Sequence, residues 1–96
     1  MDLRSMRNVP DLARILRSKK VSLSAGQVVL VTTEGLYDRQ LIIIRNIGKD
    51  TVYLGDTDVS TDNGFPLYVN EVIVLPTKKE IFAISEKDGE LRVLEG

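Results

Sequence analysis

Residue types able to do chemistry are few in this chain, and the densest set of them is Asp56, Asp58, Ser60 and Asp62, closed by Asn63 and Gly64. Carboxylates and a hydroxyl on every second residue are the donors a hard cation takes, and calcium is the ion this spacing would suit. An EF-hand loop also needs Gly at its sixth position and Glu at its twelfth, where this chain has Thr61 and Leu67. The pattern fails at the positions that decide backbone geometry and bidentate ligation. The expectation is therefore a polar loop whose side chains bond its own amides, with a non-EF calcium site as the alternative. No metal and no cofactor are expected.

Catalysis has little to work with. Histidine and cysteine are both absent, which removes the usual general base, the commonest metal ligand and any thiolate or disulfide. No His stands ready to activate a Ser or Thr, and the pairs Lys19-Lys20 and Lys78-Lys79 do not suggest the burial a lysine base needs. Asp and Glu fall in turns and on alternating strand faces, so nothing places two carboxylates in a cleft. No Gly-rich phosphate loop follows a strand. The reading is a protein that is not an enzyme.

The elements that carry these residues follow from length and pattern. Ninety-six residues make one domain, and 43% hydrophobic with 28% charged is a globular composition. No apolar run approaches the roughly 20 residues of a membrane span, and the N-terminus lacks the apolar core of a signal peptide. No membrane partner and synthesis in a cytoplasm are expected. Net charge is −1, unevenly spread: Arg4, Arg7, Arg14, Arg17, Lys19 and Lys20 stand against Asp2 and Asp11, so residues 1–20 carry +4 and the rest −5. This reads as a basic arm on an acidic body. Within the arm, Asn8 can cap a helix, Pro10 fits its first turn, and Val9, Leu12, Ile15 and Leu16 recur at helical spacing to about Ser18. That helix would either cover one end of the body or dock on a partner, through Arg4, Arg7, Leu12, Arg14, Ile15, Arg17, Lys19 and Lys20. No aromatic lies among these residues to stack on bases, and an acidic protein surface explains the same charges, so protein rather than nucleic acid is the expected partner.

Residues 21–96 read as short strands. Residues 22–26 form a linker, and the β-branched run 27–33 predicts a strand. The continuous apolar run Leu41-Ile42-Ile43-Ile44 suits an interior strand covered on both faces. Residues 46–50 read as a hairpin loop with Gly48 free to take positive φ, and residues 51–54 return. Asn63-Gly64 makes a turn that needs Gly for positive φ, after which Phe65 and Leu67 re-enter the interior. Residues 67–76 are two short strands pinched at Asn70-Glu71, or one bent strand. Ile81, Ala83 and Ser85 alternate with Phe82 and Ile84, and Lys87-Asp88-Gly89 closes a hairpin. In the last strand Leu91, Val93 and Glu95 share one side, with Arg92 and Leu94 on the other. The fold class is all-β: an antiparallel β-sandwich or jelly-roll-like barrel of about seven short strands with one short N-terminal helix.

The stretch 43–71 resembles small β-sandwich virion-associated domains of tailed bacteriophages. The residues that carry the likeness are Arg45-Asn46 with Gly48, Val52-Tyr53-Leu54-Gly55, Asp58-Val59-Ser60, Asn63-Gly64-Phe65-Pro66-Leu67 and a turn reaching Glu71. The C-terminal segment from Ile81 to Glu95 is also similar. Where such domains often have Gly-Gly or Gly-Ser after the tyrosine strand, this chain has Gly55-Asp56; where they often have Pro-Gly before the glutamate, it has Val69-Asn70. The resemblance implies a virion structural protein that decorates or cements a phage head, made in the host cytoplasm. It implies capsid or other virion proteins as partners, and self-association, often as a homotrimer. The alternative it leaves open is a carbohydrate- or host-surface-binding module of a fibre or tail. Sugar platforms usually present exposed aromatics, whereas the two Phe here are expected in the core.

Overall fold

The computed structural model describes residues 17–35 and 39–96, which form eight strands. They are β1 (Arg17–Leu23), β2 (Val29–Leu30), β3 (Ile42–Asn46), β4 (Val52–Gly55), β5 (Phe65–Leu67), β6 (Val72–Leu75), β7 (Phe82–Ser85) and β8 (Gly89–Glu95). Two four-stranded antiparallel sheets contain all of them, in the orders β1-β8-β3-β6 and β2-β7-β4-β5. Every connection except β4 to β5 crosses from one sheet to the other.

Period-two alternation decides which side chains enter the space between the sheets. The first sheet contributes Val21, Leu23, Ile42, Ile44, Leu91 and Val93 to the core, and the second Val52, Leu54, Leu67 and Ala83, with Val31 and Ile81 beside them. Leu91, Val93 and Glu95 all point inward, as do Ile81, Ala83 and Ser85, so the alternation of both strands holds. The run 41–44 is an interior strand, flanked by β8 and β6. It is covered on one face only, since Ile42 and Ile44 are buried while Ile43 is half-exposed.

Several expectations are corrected. The expected helix to Ser18 lies up to Leu16 outside the described residues, but Arg17 and Ser18 already belong to β1, which pairs with β8 from Arg17↔Glu95 to Leu23↔Gly89. Cross-strand pairing with Leu91 and Val93 outweighs any continuation of a helical repeat. Residues 22–23 are strand for the same reason, and the linker shrinks to a turn closed by the Gln27 amide donating to the Ser24 carbonyl (3.1 Å). The strand expected at 27–33 is a ladder of two residues, extended by the Val31 amide donating to the Ile81 carbonyl (2.8 Å).

Neither 46–50 nor 87–89 closes a hairpin, because β3 and β4 lie in different sheets, as do β7 and β8. Positive φ among glycines is confined, in the described residues, to Gly26 and Gly35. What Gly64 supplies is room: a Cβ there would sit 2.6 Å from the Tyr53 Cβ and 2.8 Å from the Ser60 carbonyl oxygen. Gly48 likewise lets the chain pass close to β8, with a Cβ position 3.1 Å from the Glu90 nitrogen. Residues 67–76 hold one strand, β6, preceded by a turn over 68–71; the strand before that turn, β5, lies earlier than expected, at Phe65–Leu67, and in the other sheet.

Candidate docking surface

The polar loop closes on itself. Asp56 accepts from the Thr57 amide (2.7 Å), and the Ser60 hydroxyl accepts from the amides of Asp62 and Asn63 (both 3.2 Å). The Asn63 side chain takes the Ser60 amide (2.8 Å) and donates to the Asp58 carbonyl (3.2 Å), while the Gly64 amide donates to the Ser60 carbonyl (2.9 Å). Among the described residues no three His, Cys, Asp or Glu side chains gather as a cation site. Asp56, Asp58, Ser60, Asp62, Asn63 and Gly64 therefore form the tight connection of the β4–β5 hairpin, as a loop bonding its own amides should.

At the same end of the sandwich, a charge cluster that sequence reasoning missed fills the space between the sheets, on the side of β8 and the residues before β3. Arg39 and Glu95 are both buried, with Arg39 Nη1 3.2 Å from Glu95 Oε2. Thr33 donates its amide to both Glu95 oxygens (3.1 and 3.0 Å) and its hydroxyl to Oε1 (2.6 Å), and Lys19 Nζ lies 3.4 Å from Oε1. Arg39 is completed by the carbonyls of Thr77 (3.1 Å from Nε) and Lys79. Burial opposes charge on Glu95, but the Thr33 hydrogen bonds and Lys19 outweigh it and hold the carboxyl below its ordinary value. Both oxygens of Glu95 are engaged, so the cluster holds this end of the sandwich together. The signal was legible in part, since Glu95 shares the phase of Leu91 and Val93.

The open side of the molecule lies where β5 and β6 form the edges of their sheets. Asn46 ties that corner. Its Nδ2 donates to the carbonyls of Asp50 and Leu67 (both 2.9 Å), and its Oδ1 accepts from the Gly48 amide (3.0 Å). Its backbone amide donates to the Glu71 carbonyl (3.0 Å) and its carbonyl accepts from the Asn70 amide (2.8 Å). The turn between β5 and β6 is closed by the Glu71 amide on the Tyr68 carbonyl (2.9 Å), with Asn70 at φ 68° where a turn of this kind favours Gly.

Along β5 and β6 and the turn between them the protein presents apolar surface. Phe65 is 62% exposed, Tyr68 57%, Val72 57% and Val74 54%, with Val69 also outside. Phe65 was expected in the core; it is the first residue of β5, at the mouth of the sandwich, so its ring instead borders an apolar cleft of about 390 Å³ with Leu54, Gly55, Ile73, Leu75 and Ile81. The cleft has the volume of a small-molecule site, but none of the convergent polar side chains that would orient a ligand.

Of the residues expected to dock a partner, Arg4, Arg7, Leu12, Arg14 and Ile15 lie outside the described residues. Arg17, Lys19 and Lys20 belong to β1, and β1 pairs along its whole length with β8, so these three are not part of a detachable arm. Lys19 turns toward Glu95, while Lys20 faces outward and pairs with Glu90 (3.6 Å).

No family model matches the chain, and no curated protein matches it. Among solved structures it is similar to an RmlC-like cupin protein from Desulfovibrio desulfuricans, with a TM-score of 0.63 over 85% of this chain and 72% of that one. The fold resembles a cupin's. At 16% identity the likeness extends to the fold alone. A cupin-like fold is a scaffold on which unrelated sites are built, and function has to be argued from this chain's own surface.

Proposed function

We propose that this protein is a non-enzymatic structural module that attaches to a larger assembly, a virion structural protein that decorates or cements the capsid of a tailed phage. The observation that carries this reading is the apolar edge: Phe65, Tyr68 and Val72 are exposed and border one groove between β5 and β6. Exposed apolar patches of this kind mark protein contacts more often than chemistry. The resemblance of residues 43–71 to phage virion domains names the assembly. Of its motif residues, Asn46 holds the β5–β6 turn through the Leu67 carbonyl and the backbone of Asn70 and Glu71. A capsid lattice repeats its sites, so a small module that touches several shell subunits gains avidity. Trimers at lattice symmetry axes are the assembly the resemblance implies.

Phe65 and Tyr68 also favour a second reading, a carbohydrate- or host-surface-binding module of a fibre or tail, because two exposed aromatics flank one apolar groove. Binding of the purified protein to empty phage shells, in parallel with a glycan array, separates the two. Saturable sedimentation with shells and silence on the array is the expected result. Glycan binding without shell binding would reverse the assignment.

A further inference from the structure

The outer face of the first sheet carries a second feature, which adjoins the apolar edge at Val72. In the register of that sheet Lys20 stands directly opposite Arg92, and Arg92 directly opposite Arg45, so three cations cross three adjacent strands in one row. All three are exposed. Among the described residues Lys20 has Glu90 at 3.6 Å, and neither Arg45 nor Arg92 has a carboxylate partner. Like charges placed directly opposite each other weaken a sheet, and Thr or Val would serve the fold better at each position. The next row along the strands is apolar: Leu94 opposite Ile43, and Ile43 opposite Val74. A depression of about 520 Å³ spans both rows, lined by Lys20, Ile43, Arg45, Val72, Arg92 and Leu94 among others.

We infer that this face binds an acidic amphipathic helix of a partner protein, with the helix lying across the strands. Adjacent strands set the cations about 4.8 Å apart, and a helix offers one residue per turn on a given stripe every 5.4 Å or so. Over three strands the two repeats drift by about 1 Å, which long Arg and Glu side chains absorb. One stripe of the helix then sets carboxylates over Lys20, Arg92 and Arg45, and the neighbouring stripe sets apolar side chains over Leu94, Ile43 and Val74. The side-by-side rows select this occupant over a nucleic acid, whose phosphates would satisfy the cations and leave the apolar row uncovered. They also select it over a second copy of the same face, which carries no carboxylate row and would set cations against cations or against the apolar row. The inference names a face and a chemistry beyond the attachment reading, and rests on it only in that the protein docks on another protein.

The test uses the full chain and a synthetic helical peptide with a Glu stripe beside a Leu stripe, set against the same peptide with Gln in place of Glu. Binding is followed by fluorescence anisotropy, and stability by thermal unfolding. Binding of the Glu peptide alone is expected, weakening as salt rises. Arg92→Thr and Arg45→Thr should each reduce affinity about two- to fivefold. Arg92→Thr should at the same time raise Tm by about 1–8 °C, because two like-charge oppositions are relieved. A residue kept for the fold would lower Tm when replaced, so a fall in Tm with unchanged affinity overturns the inference. Equal binding of the Gln peptide overturns it, as does tighter binding of a DNA oligonucleotide that the same substitutions weaken. Success here with no shell binding would leave the face assigned and the capsid reading wrong.

Discussion

Arg39 and Glu95 meet inside the protein although 56 residues separate them, with Nη1 of the guanidinium 3.2 Å from Oε2 of the carboxylate and both side chains out of solvent. Each is also held by other partners: Arg39 by the carbonyls of Thr77 and Lys79, Glu95 by Thr33 and Lys19. The pair closes one end of the sandwich by joining β8 to the residues before β3 and after β6.

Removing Arg39 leaves Glu95 charged and buried with Lys19 as its remaining cation and empties the space the guanidinium fills. Arg39→Met is therefore expected to destabilise the protein by about 3–5 kcal/mol. Urea unfolding of the variant beside the parent measures it. A loss below about 1 kcal/mol would mean that Lys19 and Thr33 satisfy Glu95 without the guanidinium.

The same carboxylate makes stability depend on pH. Its folded-state pKa is held below the ordinary value, so its contribution is fully present above about pH 4.3 and is lost as pH falls through the folded value. Unfolding midpoints measured from pH 7 down to pH 3 should drop more steeply for the parent than for Glu95→Gln, which carries no titrating group. Parallel curves would assign the acid sensitivity to other carboxylates.

Gly64 tests whether the loop 56–64 is architecture. A Cβ there would meet Tyr53 at 2.6 Å and Ser60 at 2.8 Å, both belonging to the hairpin that the loop closes. Gly64→Ala should cost about 1–3 kcal/mol, since backbone and a strand Cβ cannot yield as a flexible side chain would. Adding calcium should leave the parent's Tm unchanged; a rise that depends on calcium concentration would restore the cation reading of Asp56, Asp58 and Asp62.

Truncation separates arm from body at a definite place. Residues 17–20 pair with Glu95, Leu94, Val93 and Arg92, and Lys19 reaches Glu95. A protein lacking residues 1–20 should therefore melt well below one lacking residues 1–16, by differential scanning calorimetry. Identical melting would mean that β1 contributes little beyond Val21 and Leu23. Sedimentation of the shorter truncation with empty shells then asks whether Arg4, Arg7, Leu12, Arg14 and Ile15 are needed for attachment.

The amino-acid sequence by itself determined the all-β class, most strand positions and which residues share a face, Ile81 with Ala83 and Leu91 with Val93, because alternation is a local pattern imposed by the pleat; which face turns inward was decided by the packing of the two sheets. It also determined that the loop 56–64 would satisfy its own amides, since Asp, Ser and Asn reach only their near neighbours. Tertiary structure alone decided which strands pair. Gly48 and Gly89 lie in turns that suit a reversal within one sheet or a crossing to the other, and the choice depends on what lies across the core. It decided that residues 17–20 are strand, because their partners are the last residues of β8. It decided the burial of Arg39, which becomes tolerable only when Glu95 arrives from the far end of the chain. The cation row Lys20, Arg92 and Arg45 was equally hidden, for charges so far apart in sequence become neighbours only through the register of the sheet.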